Sequence, residues 1–434
     1  MNTNASPPSQ LICGARILDP ASGLDQTGCV GLRDGRVAYI GTEPPTARFD
    51  QCIDAQGQWL MPGAIDLAAR FREPGQSHKA SFASETGAAQ AAGVTAVAIA
   101  PDTDPPIATP AVVDRISRMA ERVGGLDVFM IGALTEDLAG DALAEMSALK
   151  HAGCVGVGNA ASALRDSLMG RRALEYAQGL NLPVHVFAQN PALANQGCAH
   201  EGPVATRLGL APIPVAAEVS AIRFWISLVE DTGAAVHFGR LSTARGAAMV
   251  ETAQQRGLPI SADVAAHQLF LTAEDVEGFN AQCHVLPPLR TAEDRDALRD
   301  ALARGVLCAL CSDHQPHEAD AKINPFPLTE PGISAIETLV PLCLALVHAG
   351  VLTPLQAAER LSLGPSRILQ SQGGGIGVGE PANLMLVAPD RQWTLNAADL
   401  RSAGRNTPFL GRAFQGQVMR TWHRGAAVFD RQCQ

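Results

Sequence analysis

Aromatic residues make up only 4% of this 434-residue chain, whereas glycine (41) and proline (29) are plentiful. That balance predicts short aliphatic elements joined by many turns. Positive charge is also scarce. A net charge of −10 excludes a broad nucleic-acid groove or an anionic membrane surface as partner. No apolar run approaches the roughly 18 residues that a membrane span needs. Met1 to Gln10 has neither the basic nor the apolar segment of an export signal, so the expected setting is the cytoplasm. The ten cysteines are scattered and lack the spacing of a disulfide framework. Their one close pair, Cys308 and Cys311, lies on a predicted strand where positions three apart face opposite ways, so both read as core residues.

What is present is a globular composition, 47% hydrophobic and 18% charged, on a length that suits one large domain plus a smaller one. Short apolar runs alternate with amphipathic stretches through the middle. The strand candidates are Ala64–Leu67, Val94–Ala100, Val128–Gly132, Val155–Val157, Pro183–Ala188, Ala234–Phe238, Pro259–Val264 and Val306–Ser312. Between them, helical patterns cover Ser84–Ala92, Ala142–Ala152, Ser162–Gln178, Ala217–Asp231, Thr243–Arg256 and Ala292–Ala303. Eight strand–helix units are the number that closes a parallel (β/α)8 barrel. The barrel is expected over 59–377, leaving through the Gly373-Gly374-Gly375 run. Residues 1–58 and 378–434 are expected to form a small β-sandwich domain from both termini. Within it, Asp34-Gly35 predicts a hairpin turn, because that turn needs positive φ.

Barrel enzymes place their chemistry where strands end. The first such end reads Met61-Pro-Gly-Ala-Ile-Asp-Leu-Ala-Ala-Arg-Phe-Arg-Glu-Pro-Gly75. It resembles the dihydroorotase branch of the amidohydrolase superfamily, whose first strand ends in Pro-Gly-x-x-Asp-x-His-x-His-x-Arg-x-Pro-Gly. The likeness continues through Ala100-Pro-Asp-Thr-Asp-Pro105, Leu241-Ser-Thr-Ala244 and Pro287-Pro-Leu-Arg290. Ser312-Asp-His-Gln-Pro-His317, Pro331-Gly332 and Gly404-Arg-Asn-Thr-Pro-Phe409 extend it almost to the end.

In an active member the resemblance implies one or two metal ions, zinc above all, whose bound hydroxide attacks a cyclic amide. The ligands are two histidines on the first strand, a bridging carboxylate or modified lysine, two further histidines and a last-strand aspartate. Here the first two positions are Ala68 and Arg70, and the bridging position is Asn159 or Ala160. The remaining histidine positions are Phe187 and Arg240, and only Asp313 is a donor. Alkyl and aryl groups offer no lone pair and guanidinium stays protonated. One donor is short of the three a catalytic zinc takes, so no metal cofactor is expected.

Nearby histidines do not restore the set. His185, two residues before Phe187, reads as a satisfied barrel-core histidine, and His237 as facing away from Arg240. Asp313, His314 and His317 form the one local cluster with ligand-type atoms, a candidate for weak metal binding. The resemblance gives Arg72 and His317 to substrate binding, but Arg72's expected asparagine partner is Asp102 and another amide position is Leu286. Arg72 is therefore expected to pair with Asp102 or another acid. Arg70 and Arg240 approach one axis, so at least one is expected to pair with Asp313.

Two functions follow from the resemblance. One is a catalytically inactive homologue, like the bacterial pseudo-dihydroorotases that associate with aspartate carbamoyltransferase and support its assembly in pyrimidine biosynthesis. The other is an active metal-dependent cyclic amidohydrolase, opening dihydroorotate to N-carbamoyl-aspartate with relocated ligands. A homodimer is expected by the same likeness. Elsewhere, the Gly373–Gly379 stretch lacks the Gly-Lys-Ser/Thr ending of a phosphate loop. Thr135-Glu136-Asp137 and Glu274-Asp275 read as helix starts, and Phe224 and Trp225 as helix residues that pack.

Overall fold

A computed structural model describes residues 7–433, so most of the polar opening segment lies outside the described residues. Five strands come first: β1 (Gln10–Asp19), β2 (Leu24–Arg33), β3 (Arg36–Gly41), β4 (Gln51–Asp54) and β5 (Trp59–Pro62). The next five are β6 (Ala64–Ala69), β7 (Val94–Ile99), β8 (Asp127–Ala133), β9 (Cys154–Gly158) and β10 (Val184–Phe187). A short ribbon of β11 (Ala199–His200) and β12 (Pro212–Ile213) intervenes before β13 (Val236–Gly239), β14 (Ile260–Ala265) and β15 (Ala309–Cys311). The chain ends on β16 (Leu384–Thr394), β17 (Ala413–His423) and β18 (Ala426–Asp430).

Strands β6 to β10 and β13 to β15 form one parallel sheet, each paired with its sequence neighbour. All eight fall on the predicted apolar runs, because a strand covered on both faces is continuously apolar. The sheet is closed just beyond the strands. His314 N donates to Ala68 O at 3.0 Å, and Arg70 N donates to His314 O at 2.9 Å. Asp66 ties the seam from below, accepting from Ser312 N at 2.9 Å and from the Ser312 hydroxyl. The interior is plugged by Ile65, Leu67, Ala96, Ala98, Ile131 and Cys311.

The helices differ more from expectation. Pro110–Val123 and Leu339–His348 were not anticipated. The first carries a legible start, Thr109 followed by Pro110 at the first helical position. The predicted helix from Ser162 begins only at Ser167, because the Asp166 side chain caps it by accepting from Met169 N at 2.8 Å. The one from Ala142 begins at Met146.

The termini build a second sheet in the order β18-β17-β16-β5-β1-β2-β3, with β4 also on β1. Its β3 edge folds onto the segment leading into β16, where Val37 N donates to Glu380 O. Ile12, Ile17, Val30, Leu60, Leu384 and Trp422 fill the space enclosed. β5 belongs here, paired with β1 and β16, so the chain passes from one sheet to the other at Gly63. A Cβ at Gly63 would lie 2.3 Å from the Thr95 side chain, which explains the glycine at this crossing. The Asp34-Gly35 turn is present, with φ of 50° and 77°.

One cysteine expectation is corrected. Cys13 and Cys29 face each other across β1 and β2 and form a disulfide, a long-range pairing that spacing alone does not reveal. Cys308 and Cys311 do not converge, the first approaching Ala262 O and the second Asp263 Oδ1, each at 3.4 Å. No helix of the described residues is long and apolar enough to cross a membrane.

Candidate functional site at the barrel mouth

Asp313 follows β15 at the mouth of the barrel and is 1% exposed. A carboxylate buried there is costly unless paired. Its Oδ1 receives Arg240 Nη1 at 2.8 Å, Gln315 Nε2 at 3.2 Å and Arg70 Nη1 at 3.5 Å. Arg70 also donates from Nε to Asp102 Oδ2 at 2.9 Å, which extends the chain of charges to Arg240–Asp313–Arg70–Asp102. Burial alone would raise the pKa of Asp313, but Arg240 and then Arg70 outweigh it, and the carboxyl is held below its usual range. Asp102 is lowered in the same way: burial opposes ionisation and Arg70 overrides it.

Arg240 reaches Asp313 because β13 stops at Gly239 and the next residue turns left-handed, with φ of 59°. Asp263 fixes that turn, its Oδ1 accepting from Arg240 N at 2.6 Å. The other carboxylate oxygen meets His237 Nε2 at 2.9 Å, and His237 Nδ1 meets Ser261 Oγ at 2.9 Å. His237 therefore shares the interior with Arg240, contrary to the alternation argument, which fails where the strand ends. The sequence reading also missed Asp263; Ser261 and Asp263 lie two apart on one strand, the signal of a common face.

His185 lies beside His237 with ring centroids 5.1 Å apart, and its buried Nε2 has no hydrogen-bond partner. It is thus a barrel-core histidine, but not a satisfied one. Burial and then His237 push its pKa well below the ordinary value, which keeps the imidazole neutral.

The other ligand positions are spent on structure. Asn159 Oδ1 accepts from the Thr135 hydroxyl at 2.7 Å, and its Nδ2 donates to Ser162 O at 3.2 Å. Phe187 lies under the Arg240 guanidinium, 4.9 Å from ring centroid to Cζ. Ala68 lines a residual cavity of about 60 Å³ together with Arg70, Phe187, His237, Arg240 and Asp263. A divalent ion there would meet two guanidinium groups and one carboxylate, that of Asp263, whose oxygens already hold His237 and the Arg240 amide. The residues present do not fit a metal.

The expected cluster of Asp313, His314 and His317 does not converge either. His314 points away, with Nε2 2.7 Å from Glu85 Oε2 and Nδ1 accepting from Ala335 N at 3.0 Å. His317 Nε2 lies 3.0 Å from Arg72 Nη2, and burial, then Arg72 and Lys79, lower its pKa to about 3. Among the described residues, no group of three or more His, Cys, Asp or Glu side chains is arranged to hold a metal ion. Arg72 also departs from expectation. It donates to Pro316 O at 2.9 Å and Gln76 Oε1 at 3.2 Å instead of pairing with Asp102, because Arg70 is already on that carboxylate. Leu286 packs against Ala194, Ile213 and Ala217.

Comparison with known proteins agrees with this architecture. A family model described as "Dihydro-orotase-like" matches residues 57–245. A "Dihydroorotase-like protein" from Pseudomonas aeruginosa is 44% identical over 410 residues, covering 94% of this chain and 97% of the relative. The chain belongs to the dihydroorotase-like family. Within it, a protein from Anaeromyxobacter dehalogenans named "Dihydroorotase" is 38% identical over 419 residues, 96% of this chain and 97% of its own. Among solved structures, the L-hydantoinase (dihydropyrimidinase) from Arthrobacter aurescens superposes with a TM-score of 0.89 at 22% identity, over 98% of this chain and 96% of that one. The dihydropyrimidinase from Brevibacillus agri gives 0.85 at 21% identity over 98% and 95%. These two likenesses concern the amidohydrolase fold alone.

Proposed function

We propose that this chain is a noncatalytic member of the dihydroorotase-like family, with a structural role in the assembly of aspartate carbamoyltransferase in cytoplasmic pyrimidine biosynthesis. The observation behind the loss of catalysis is the Arg240–Asp313–Arg70 arrangement, in which guanidinium groups occupy the surroundings of the one remaining donor. Without a bound metal, water needs a strong base to attack an amide. Asp313 is a poor one, since its arginine partners favour the carboxylate over the protonated acid. The barrel and terminal sheet persist in full, as an assembly surface requires. The partner itself is proposed on the resemblance of the sequence to pseudo-dihydroorotases.

The competing reading, an active cyclic amidohydrolase, draws on the 38% identical relative named "Dihydroorotase". One experiment separates the two. The protein is purified from its native cell, its zinc content and dihydroorotate turnover are measured, and co-eluting transcarbamoylase activity is assayed. Co-elution without stoichiometric zinc or turnover is the expected result. Zinc with turnover would establish the enzyme instead, and free elution would remove the assembly role.

A further inference from the structure

Arg240 spends only one of its guanidinium nitrogens on the protein. Nη1 reaches Asp313 at 2.8 Å, while Nε and Nη2 meet no acceptor among the described residues. Those two N–H groups lie along one edge as a parallel fork, the geometry that matches the two oxygens of a carboxylate. The chain uses that edge in this way elsewhere. Arg16 Nε and Nη2 hold Asp25 at 2.6 and 2.8 Å, and Arg295 holds Asp296 at 2.9 and 3.2 Å. On Arg240 the fork is empty. It is not sealed off either, since the side chain keeps 12% of its surface and neither nitrogen is fully buried.

The fork is also held still. Asp313 fixes Nη1, the Phe187 ring fixes the guanidinium, and the Asp263 carboxylate fixes the backbone. Arg70 adds one more donor: its Nε and Nη1 are taken by Asp102 and Asp313, and its Nη2 has no partner among the described residues. Both arginines line the residual mouth cavity of about 60 Å³, where Leu67, Ala68 and Ile131 supply apolar surface. At roughly 10–15 Å³ for each water-sized group, that space takes about four non-hydrogen atoms. A substituted six-membered ring does not fit. Asp263 is the one carboxylate lining the cavity, and its oxygens are engaged by His237 and Arg240 N. Around the mouth, Arg70, Arg72 and Arg240 balance Asp102, Asp263 and Asp313. Selection of a ligand therefore falls to the local fork, not to a net field.

We infer that the residual mouth cavity binds a short-chain monocarboxylate of acetate size, gripped by Nε and Nη2 of Arg240 and by Nη2 of Arg70, with its alkyl end against Leu67, Ala68 and Ile131. Hydrogen bonds between two ionised, planar partners are about twice as strong as neutral ones, and they gain further where water is partly excluded. The apolar side favours a methyl over a hydroxyl, which separates a carboxylate from bicarbonate, the other planar oxyanion of this size. The site rests on the arginine geometry and not on the assembly role, so neither outcome bears on the other.

The probe is 13C-labelled acetate, followed by NMR on the full-length protein at an ionic strength held constant with sodium chloride. Saturable broadening of the carboxylate resonance is expected. Arg240→Lys keeps a cation beside Asp313 but loses the fork, and is expected to weaken binding about tenfold, the worth of one charge-assisted hydrogen bond. Ala68→Leu is expected to abolish binding by filling the cavity. On the parent protein, unlabelled acetate is expected to displace the probe, bicarbonate to displace it less well, and neutral acetamide not at all. Broadening that never saturates would overturn the inference. So would undiminished binding by folded Arg240→Lys or Ala68→Leu, displacement by acetamide as effective as by acetate, or tighter binding of bicarbonate. If neither variant folds, the three competitors decide on the parent protein alone.

Discussion

The guanidinium of Arg240 rests over the Phe187 ring, 4.9 Å from its centroid, while its Nη1 lies 2.8 Å from Asp313 Oδ1. Phe187 and Arg240 come from different strands and occupy two positions that the family resemblance gives to metal-binding histidines. In this chain they stack on one another, and the cation the site contains is a side chain. Arg240 thereby takes over part of the charge compensation that Asp313 needs.

Arg240→Ala removes the nearer partner of a carboxylate that is 1% exposed. Breaking one side of a buried pair costs about 3–5 kcal/mol, and the retained Arg70 contact places this case at the lower end. A loss of about 3 kcal/mol by urea unfolding is expected. Adding Asp313→Asn should recover more than half of it, because no charge is then left unpaired. Additive losses in the double variant would contradict the coupling.

Acid stability is governed by buried neutral histidines as well as by the carboxylates. Burial lowers the pKa of His267 to about 4, against roughly 6.5 in an unfolded chain. The unfolded state therefore binds the proton first. His267 leaves stability intact above about pH 6.5 and reduces it as pH falls toward its folded value. Between about pH 7.5 and about pH 5 this amounts to about 2 kcal/mol. His267→Phe is expected to shrink the difference in unfolding free energy between those two conditions by that order. An unchanged difference would mean that His267 does not carry the effect.

Restoring one ligand does not restore a metal centre. Arg240→His provides an imidazole beside Asp313, two donors where a catalytic zinc takes about three. Elemental analysis after dialysis is expected to find well under one zinc per chain, and dihydroorotate turnover is expected to stay at background. A full equivalent of zinc would show that unassigned donors complete the site.

The mouth of the barrel also holds several non-glycine residues in left-handed backbone, among them Arg72, Ala160, Arg240 and Asp313, with φ between 47° and 64°. Three of these side chains make ionic or hydrogen-bonded contacts that offset the strain. The Ala160 methyl makes none of that kind. Ala160→Gly is therefore expected to be neutral or to stabilise by up to about 1 kcal/mol, measured by thermal unfolding. A loss of more than that would show that the methyl packs usefully.

The amino-acid sequence determined the eight barrel strands, because continuous apolar runs are a local property that survives in any context with two covered faces. It determined the poverty of donors as well, since folding cannot give lone pairs to alanine, phenylalanine or arginine. Tertiary structure decided which groups meet. Whether Asp102 is claimed by Arg70 or Arg72, whether Cys13 finds Cys29, and where His314 points depend on distances between segments far apart in the chain. Strand-end residues are the least legible, because period-two alternation stops there and a left-handed turn, as at Arg240, redirects the side chain.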